Sequence, residues 1–150
     1  MKKEFDNKGQ LISMTYPNGD KYTYEYDDRG NRVLSTYPDG SKYAYEFDDK
    51  GKHISTTYPE GGKIIYGHDE RGNRTSATCP DGLVTTYEYD EQGNQVSKTY
   101  PNGTKVVYEF DDNGKCVSIT FPDGDKNVYE YDDDGNRIST THPNGDKYTY

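Results

Sequence analysis

Tryptophan is absent, cysteine occurs twice, and only 29% of the 150 residues are hydrophobic. That share already counts the 17 tyrosines, and without them too little apolar material remains for a thick two-layer core, so tyrosine must carry much of the burial. That use suits a large ring with a wet hydroxyl. No apolar run follows Met1-Lys2-Lys3-Glu4-Phe5-Asp6, so no secretory leader is expected, and no stretch is long enough to span a bilayer. Basic residues number 18 against 27 acidic, for a formal charge of −9. This balance argues against a nucleic-acid partner, whose phosphates call for Lys and Arg. It suits solubility and steering toward a basic protein partner. Cys79 and Cys116 make no disulfide framework, and synthesis in the cytosol is the default expectation.

What is present is a repeat. The units are residues 5–25, 26–46, 47–67, 68–88, 89–109, 110–130 and 131–150, seven copies of 21 residues with the last one residue short. Asp6, Gly9, Thr15, Pro17, Gly19 and Tyr24 recur unchanged in every copy. Each unit holds two turn signals. Pro38-Asp39-Gly40 suits a three-residue hairpin loop, with Gly in the left-handed position. Asp48-Asp49-Lys50-Gly51 suits a four-residue loop built on a type I turn. The segments between are short and rich in β-branched and aromatic residues, whereas one Pro and at least two Gly per unit oppose helix. The expected fold is all-β: an antiparallel meander of seven tandem β-hairpin repeats, about 14 strands, forming a single domain over 1–150.

Loop length sets register. The shorter loop pairs Tyr37 with Ser41, Ser35 with Tyr43 and Val33 with Tyr45. The longer pairs Phe47 with Lys52, Tyr45 with Ile54 and Tyr43 with Thr56. Both put Val33, Tyr37, Tyr43, Tyr45, Phe47 and Ile54 on one face, and Arg32, Leu34, Thr36, Lys42, Ala44 and Glu46 on the other. The expected spine across the first face runs Ile12, Tyr24, Val33, Tyr45, Ile54, Tyr66, Thr75, Tyr87, Val96, Tyr108, Val117, Tyr129, Ile138, Tyr150. It should be more buried than Glu25, Glu46, Glu88, Glu109 and Glu130. A flat strip would be about 65 Å wide and would leave its tyrosines wet. Curling into an open spiral or barrel is therefore expected. Constant pairing offsets give no shear for closure, which favours edge-to-edge self-association or further repeats.

The pattern Tyr/Phe-Asp-x-x-Gly-Asn/Lys, Thr-x-Pro-Asp/Asn-Gly, Tyr-Glu resembles the YD repeats of the Rhs family over residues 5–150. The resemblance covers Rhs polymorphic toxins, insecticidal toxin complexes and teneurins. It implies curved antiparallel strips that build hollow shells, with a structural or encapsulating role and no catalysis by the repeats. It also implies export as part of a larger protein. Seven repeats are fewer than a full shell needs, the Asp-Pro-x-Gly-Leu stretch that closes the Rhs core does not occur, and no toxin domain follows Tyr150. The expectation is a fragment, a free-standing array or an idealised sequence.

No catalytic, cofactor-binding or metal residue is nominated. The acidic turns Asp111-Asp112-Asn113-Gly114 and Asp132-Asp133-Asp134-Gly135 lack the EF-hand spacing, and read as plain hairpin turns. His53, His68 and His142 have no metal-ligand spacing, and the last two stand where other copies carry Tyr or Phe. Cys79 takes an aromatic position and Cys116 one on the polar face. Arg32/Glu46, Arg74/Glu88 and Arg137/Glu130 are expected as solvated cross-strand pairs. Thr75, Cys79, Leu83 and Val84 make copy four the most divergent, an apolar patch read as repeat drift. A structural module is the first functional reading. An acidic immunity or antitoxin partner of a basic toxin is the second, and a carbohydrate-binding surface protein with stacking tyrosines is the third. An enzyme is not expected, since no nucleophile–base pair or carboxylate dyad escapes the repeat.

Cys79 and Cys116 should not bridge, since they lie nearly two repeats apart and a disulfide needs Cα atoms within about 7 Å. Intact mass spectrometry should find the same monomer mass before and after reduction; a gain of two hydrogens would contradict this.

Overall fold

The computed structural model describes residues 1–150 and is all-β, with fifteen antiparallel strands and no helix. No helix is therefore long and apolar enough to cross a membrane. The chain divides into two compact units, Met1–Gly67 with Ala77–Leu83, and His68–Ser76 with Val84–Tyr150. The first carries β1 (Lys2–Phe5), β2 (Leu11–Thr15), β3 (Lys21–Tyr26), β4 (Arg32–Thr36), β5 (Lys42–Phe47), β6 (His53–Thr57) and nearly all of β7 (Lys63–His68). The strand β8 (Arg74–Thr78) has residues in both units. The second unit carries β9 (Val84–Tyr89), β10 (Gln95–Thr99), β11 (Lys105–Phe110), β12 (Cys116–Thr120), β13 (Lys126–Tyr131), β14 (Arg137–Thr141) and β15 (Lys147–Thr149). Within each unit strand order follows chain order. β1 is the strand beyond the expected fourteen, and residues 2–4 ahead of the first copy supply most of it.

Both turn types close in the same way. The Gly40 N–H donates to Tyr37 O and the Tyr37 N–H to Ser41 O, both at 2.9 Å, and Gly40 takes a φ of +83°. This is the expected three-residue loop. The four-residue reading of 48–51 is corrected: Gly51 N–H donates to Asp48 O and Asp48 N–H to Lys52 O, again at 2.9 Å. Asp48 thus sits in a paired position, and the loop is 49–51. The cause is its side chain, whose Oδ1 accepts the Lys50 N–H at 2.9 Å and the Lys52 N–H at 2.8 Å. The carboxylate winds the turn around itself.

One consequence is a β-bulge. Phe47 opposes His53, but Glu46 opposes Ser55, Tyr45 opposes Thr56 and Ala44 opposes Thr57. The same shift separates Tyr26–Arg32 from Glu25–Leu34, and Tyr131–Arg137 from Glu130–Ser139. The shorter loop moves the register by one residue and the bulge by one more. Side-chain parity in the strand interiors therefore survives, although the expected pairs Tyr45–Ile54 and Tyr43–Thr56 do not form. The spine is corrected accordingly. Tyr24 opposes Ser35, which opposes Tyr43, and Tyr45 opposes Thr56, which opposes Ile64.

Burial follows this alternation of large and small residues. Tyr24, Tyr45, Tyr66, Tyr87, Tyr108 and Tyr129 are half-buried, and Glu25, Glu46, Glu88, Glu109 and Glu130 are exposed, as the parity argument requires. Tyr150 departs from its row at 73% exposed. The deepest side chains are not aromatic: Ser55, Ser97 and Ser139 are 1–2% exposed, whereas Val106 is the buried hydrophobic residue. Ser35, Thr56 and Thr140 are buried on the tyrosine face, where large neighbours lean over a small residue.

Replacing Gly40 by Ala should lower stability by about 1 kcal/mol. Nothing lies within 4 Å of the added Cβ, so only φ opposes it. Asn, which tolerates the left-handed region, should cost about half as much. Urea denaturation checks this, and equal losses for Ala and Asn would rule out φ as the cause.

Candidate functional site

Three sets of side chains recur along the strands. The first lies at the acidic turns. Asp27 Oδ1 accepts the Arg29 and Asn31 N–H groups at 3.0 and 2.8 Å, and its Oδ2 accepts Asn31 Nδ2 at 2.8 Å. These hydrogen bonds, led by the Asn31 side chain, hold the carboxyl of Asp27 below its ordinary range. Asp111 accepts the Asn113 and Lys115 N–H groups, and Asp132 the N–H and Nδ2 of Asn136. The leading carboxylate of each such turn therefore bonds its own backbone. No group of three or more His, Cys, Asp or Glu side chains is gathered to hold a metal. Arg29 donates to the Asp49 carbonyl, and Arg71 to Glu91 O at 2.7 Å, so an arginine ties one turn to the next.

The second set lies on the face opposite the tyrosines. Glu46 Oε2 accepts Ser55 Oγ at 2.8 Å and Lys63 Nζ at 2.7 Å. The pattern repeats as Ser97 and Lys105 on Glu88, Ser118 and Lys126 on Glu109, and Ser139 and Lys147 on Glu130. Each glutamate links three successive strands. Its carboxyl is held below the ordinary range, first by the lysine hydrogen bond and then by the serine. The expected Arg32/Glu46 and Arg137/Glu130 pairs are corrected: these glutamates pair with Lys63 and Lys147. Sequence reasoning missed the ladder, although the recurrence of Glu, Ser and Lys at fixed offsets was a readable signal. Copy two breaks it with Leu34 in the serine position, copy three with Gly67 in place of Glu, and copy four with Val84 in place of Lys.

The third set is aromatic and cationic. Tyr16, Tyr22, Tyr37, Tyr43 and Tyr58 form a continuous edge-to-face row with ring centres 5.3–5.8 Å apart, a preferred aromatic geometry. The bulge delivers Arg32 to this face, against expectation. Its guanidinium lies 5.3 Å from the Tyr24 ring centre and 5.9 Å from that of Tyr45. His53 fills the equivalent slot one copy later, 5.9 Å from Tyr45 and 5.0 Å from Tyr66. Arg137 lies between Tyr129 and Tyr150 at 5.5 and 5.1 Å. Cys116 occupies the same bulge position, opposite Phe110 rather than on the polar face. Burial pushes its thiol up, and both cysteines are unbridged. His142 packs edge-on against Tyr148 at 5.4 Å. The Tyr26, Tyr89 and Tyr131 hydroxyls donate to Leu11, Arg74 and Cys116 carbonyls, capping the bulge of the copy before.

Comparison with known proteins agrees with this architecture. Residues 1–97 match the profile of the teneurin YD-shell family, and residues 110–147 that of the RHS repeat. A crystal structure of TcdB2-TccC3 without its hypervariable C-terminal region is similar with a TM-score of 0.79 and 18% identity. The Photorhabdus luminescens Tc holotoxin pore is similar with a TM-score of 0.76 and 16% identity. Each covers 98% of this chain, which spans about 9% of the length of those chains. No curated protein sequence matches the chain.

The glutamate ladder makes stability acid-sensitive. A folded-state pKa below the unfolded one stabilises above the unfolded value and loses that contribution as pH falls through the folded value. Glu4, held by Lys2 and Ser13, is lowered to about 2 from 4.5. The thermal midpoint should therefore be level above pH 4.5 and fall between 4.5 and about 2. Glu109→Gln should flatten part of that fall; an unchanged profile would refute the ladder's role.

Proposed function

The chain belongs to the teneurin YD-shell family, and on that premise we propose that residues 1–150 are one array forming a stretch of wall in a larger YD-repeat shell. The observation that carries this reading is the disparity of coverage: 98% of this chain corresponds to 9% of the solved chains it resembles. The wall is non-catalytic. Its recurring serines, glutamates and lysines are joined across strands in the ladder, which favours a load-sharing role over a reactive one. Its edges join further repeats of the same chain or a second copy, since an unpaired strand invites another. Association with a toxin component is proposed from TcdB2-TccC3 and the Tc holotoxin pore. Synthesis in the cytosol and export within a larger protein complete the proposal.

Sequencing the coding DNA on both sides, then imaging the full product by electron microscopy, tests it. A frame that continues in 21-residue repeats and a hollow particle are the expected results. A frame bounded by Met1 and Tyr150 next to a toxin gene, with a monomeric product by light scattering, would overturn it and favour an acidic toxin-binding partner.

A further inference from the structure

We propose that the depression formed by Arg32, Tyr45, Phe47 and His53 binds a small aromatic carboxylate. Its volume of about 310 Å³ is at the lower end for ligand pockets, with room for a single ring and its substituent. Phe47 and Tyr45 give the depression aromatic surface. His53 stands against both, 5.3 Å from Phe47 and 5.9 Å from Tyr45. A flat apolar ring has surfaces to stack on here. Phe47 stands where copies five and seven have Tyr89 and Tyr131, so no hydroxyl intrudes at that point.

The charge comes from Arg32. On the opposite face Lys63, Lys105, Lys126 and Lys147 are each neutralised by a glutamate. Arg32 instead lies against two tyrosine rings and has no carboxylate partner. Stacking orients a guanidinium and leaves its planar fork of donors for an acceptor, and a carboxylate matches that fork with two parallel hydrogen bonds. Two depressions in the other unit show the opposite chemistry. One is lined by Asp69, Glu88, Asp90 and Glu91 with a single cation, Arg71, and the other by Asp111, Glu130, Asp132 and Asp133 with a single cation, Lys115. With carboxylates outnumbering the cation in each, they disfavour the same ligand. The formal charge of −9 does not cancel the local preference, because at physiological salt charges beyond about 8 Å are largely screened.

The test is an NMR titration of the folded chain with benzoate, benzamide and acetate. Benzoate should shift the signals of Arg32, Tyr45, Phe47 and His53 together, and benzamide and acetate should each bind about tenfold more weakly. No localised shift with benzoate, or equal binding of benzamide, would overturn the proposal, and so would equal binding of acetate. Arg32→Gln should lose about tenfold in benzoate affinity while keeping its circular dichroism. If that variant unfolds, the comparison of three ligands on the unaltered chain still decides. A free aromatic acid and the aromatic C-terminus of a polypeptide share this chemistry. Tighter binding of N-acetylphenylalanine than of benzoate would assign the second source, and the reverse order the first.

Discussion

Everything in this chain depends on a glycine held at positive φ at the close of each three-residue turn. Gly9, Gly19 and their equivalents all adopt it, between +77° and +95°. The glycine N–H reaches back to the residue that opens the turn, and the opening residue donates across to the one that ends it. Two such reversals per repeat keep every strand at three to six residues. They also commit the chain to pairing only with its sequence neighbours, because no segment between turns is long enough to cross over. Local contacts thus specify the sheet.

Short strands in a sheet with so few aliphatic residues need another way to exclude water. Large residues are set across from small ones, so that tyrosines close over Ser35, Thr56 and Thr140 on one face. On the other, glutamate and lysine side chains close over serines that are almost fully buried. Burial is therefore local and repeated, and no single cluster holds the fold. A substitution such as Leu34 for serine or Gly67 for glutamate breaks one rung of the ladder, and the neighbouring rungs are made by other residues.

Such a sheet has two chemically distinct surfaces. One carries paired glutamates and lysines; the other presents rings with arginine or histidine between them. Variation at the bulge position, from Arg32 to His53 to Cys116, changes the character of the tyrosine face, and behind His53 and Cys116 the ladder is intact.

The repeat, the all-β class, the positions of both turns and the face on which the tyrosines lie were legible in the sequence. They depend on local φ and ψ preferences and on side-chain parity, which residue types encode directly. The length of the Asp48 turn, the bulge at His53 and the placement of Arg32 were not legible. A four-residue loop followed by regular pairing, and a three-residue loop followed by a bulge, leave strand interiors with the same parity and satisfy the same hydrophobic pattern. Only the assembled hydrogen bonds distinguish them, because the Asp48 carboxylate binds the Lys50 and Lys52 backbone and takes a paired position. The sequence by itself determined where the chain reverses and which alternate residues share a face. The tertiary structure decided which residues stand opposite each other. With that it decided that Lys63 and Lys147 rather than Arg32 and Arg137 meet Glu46 and Glu130, and that these two arginines lie among the rings.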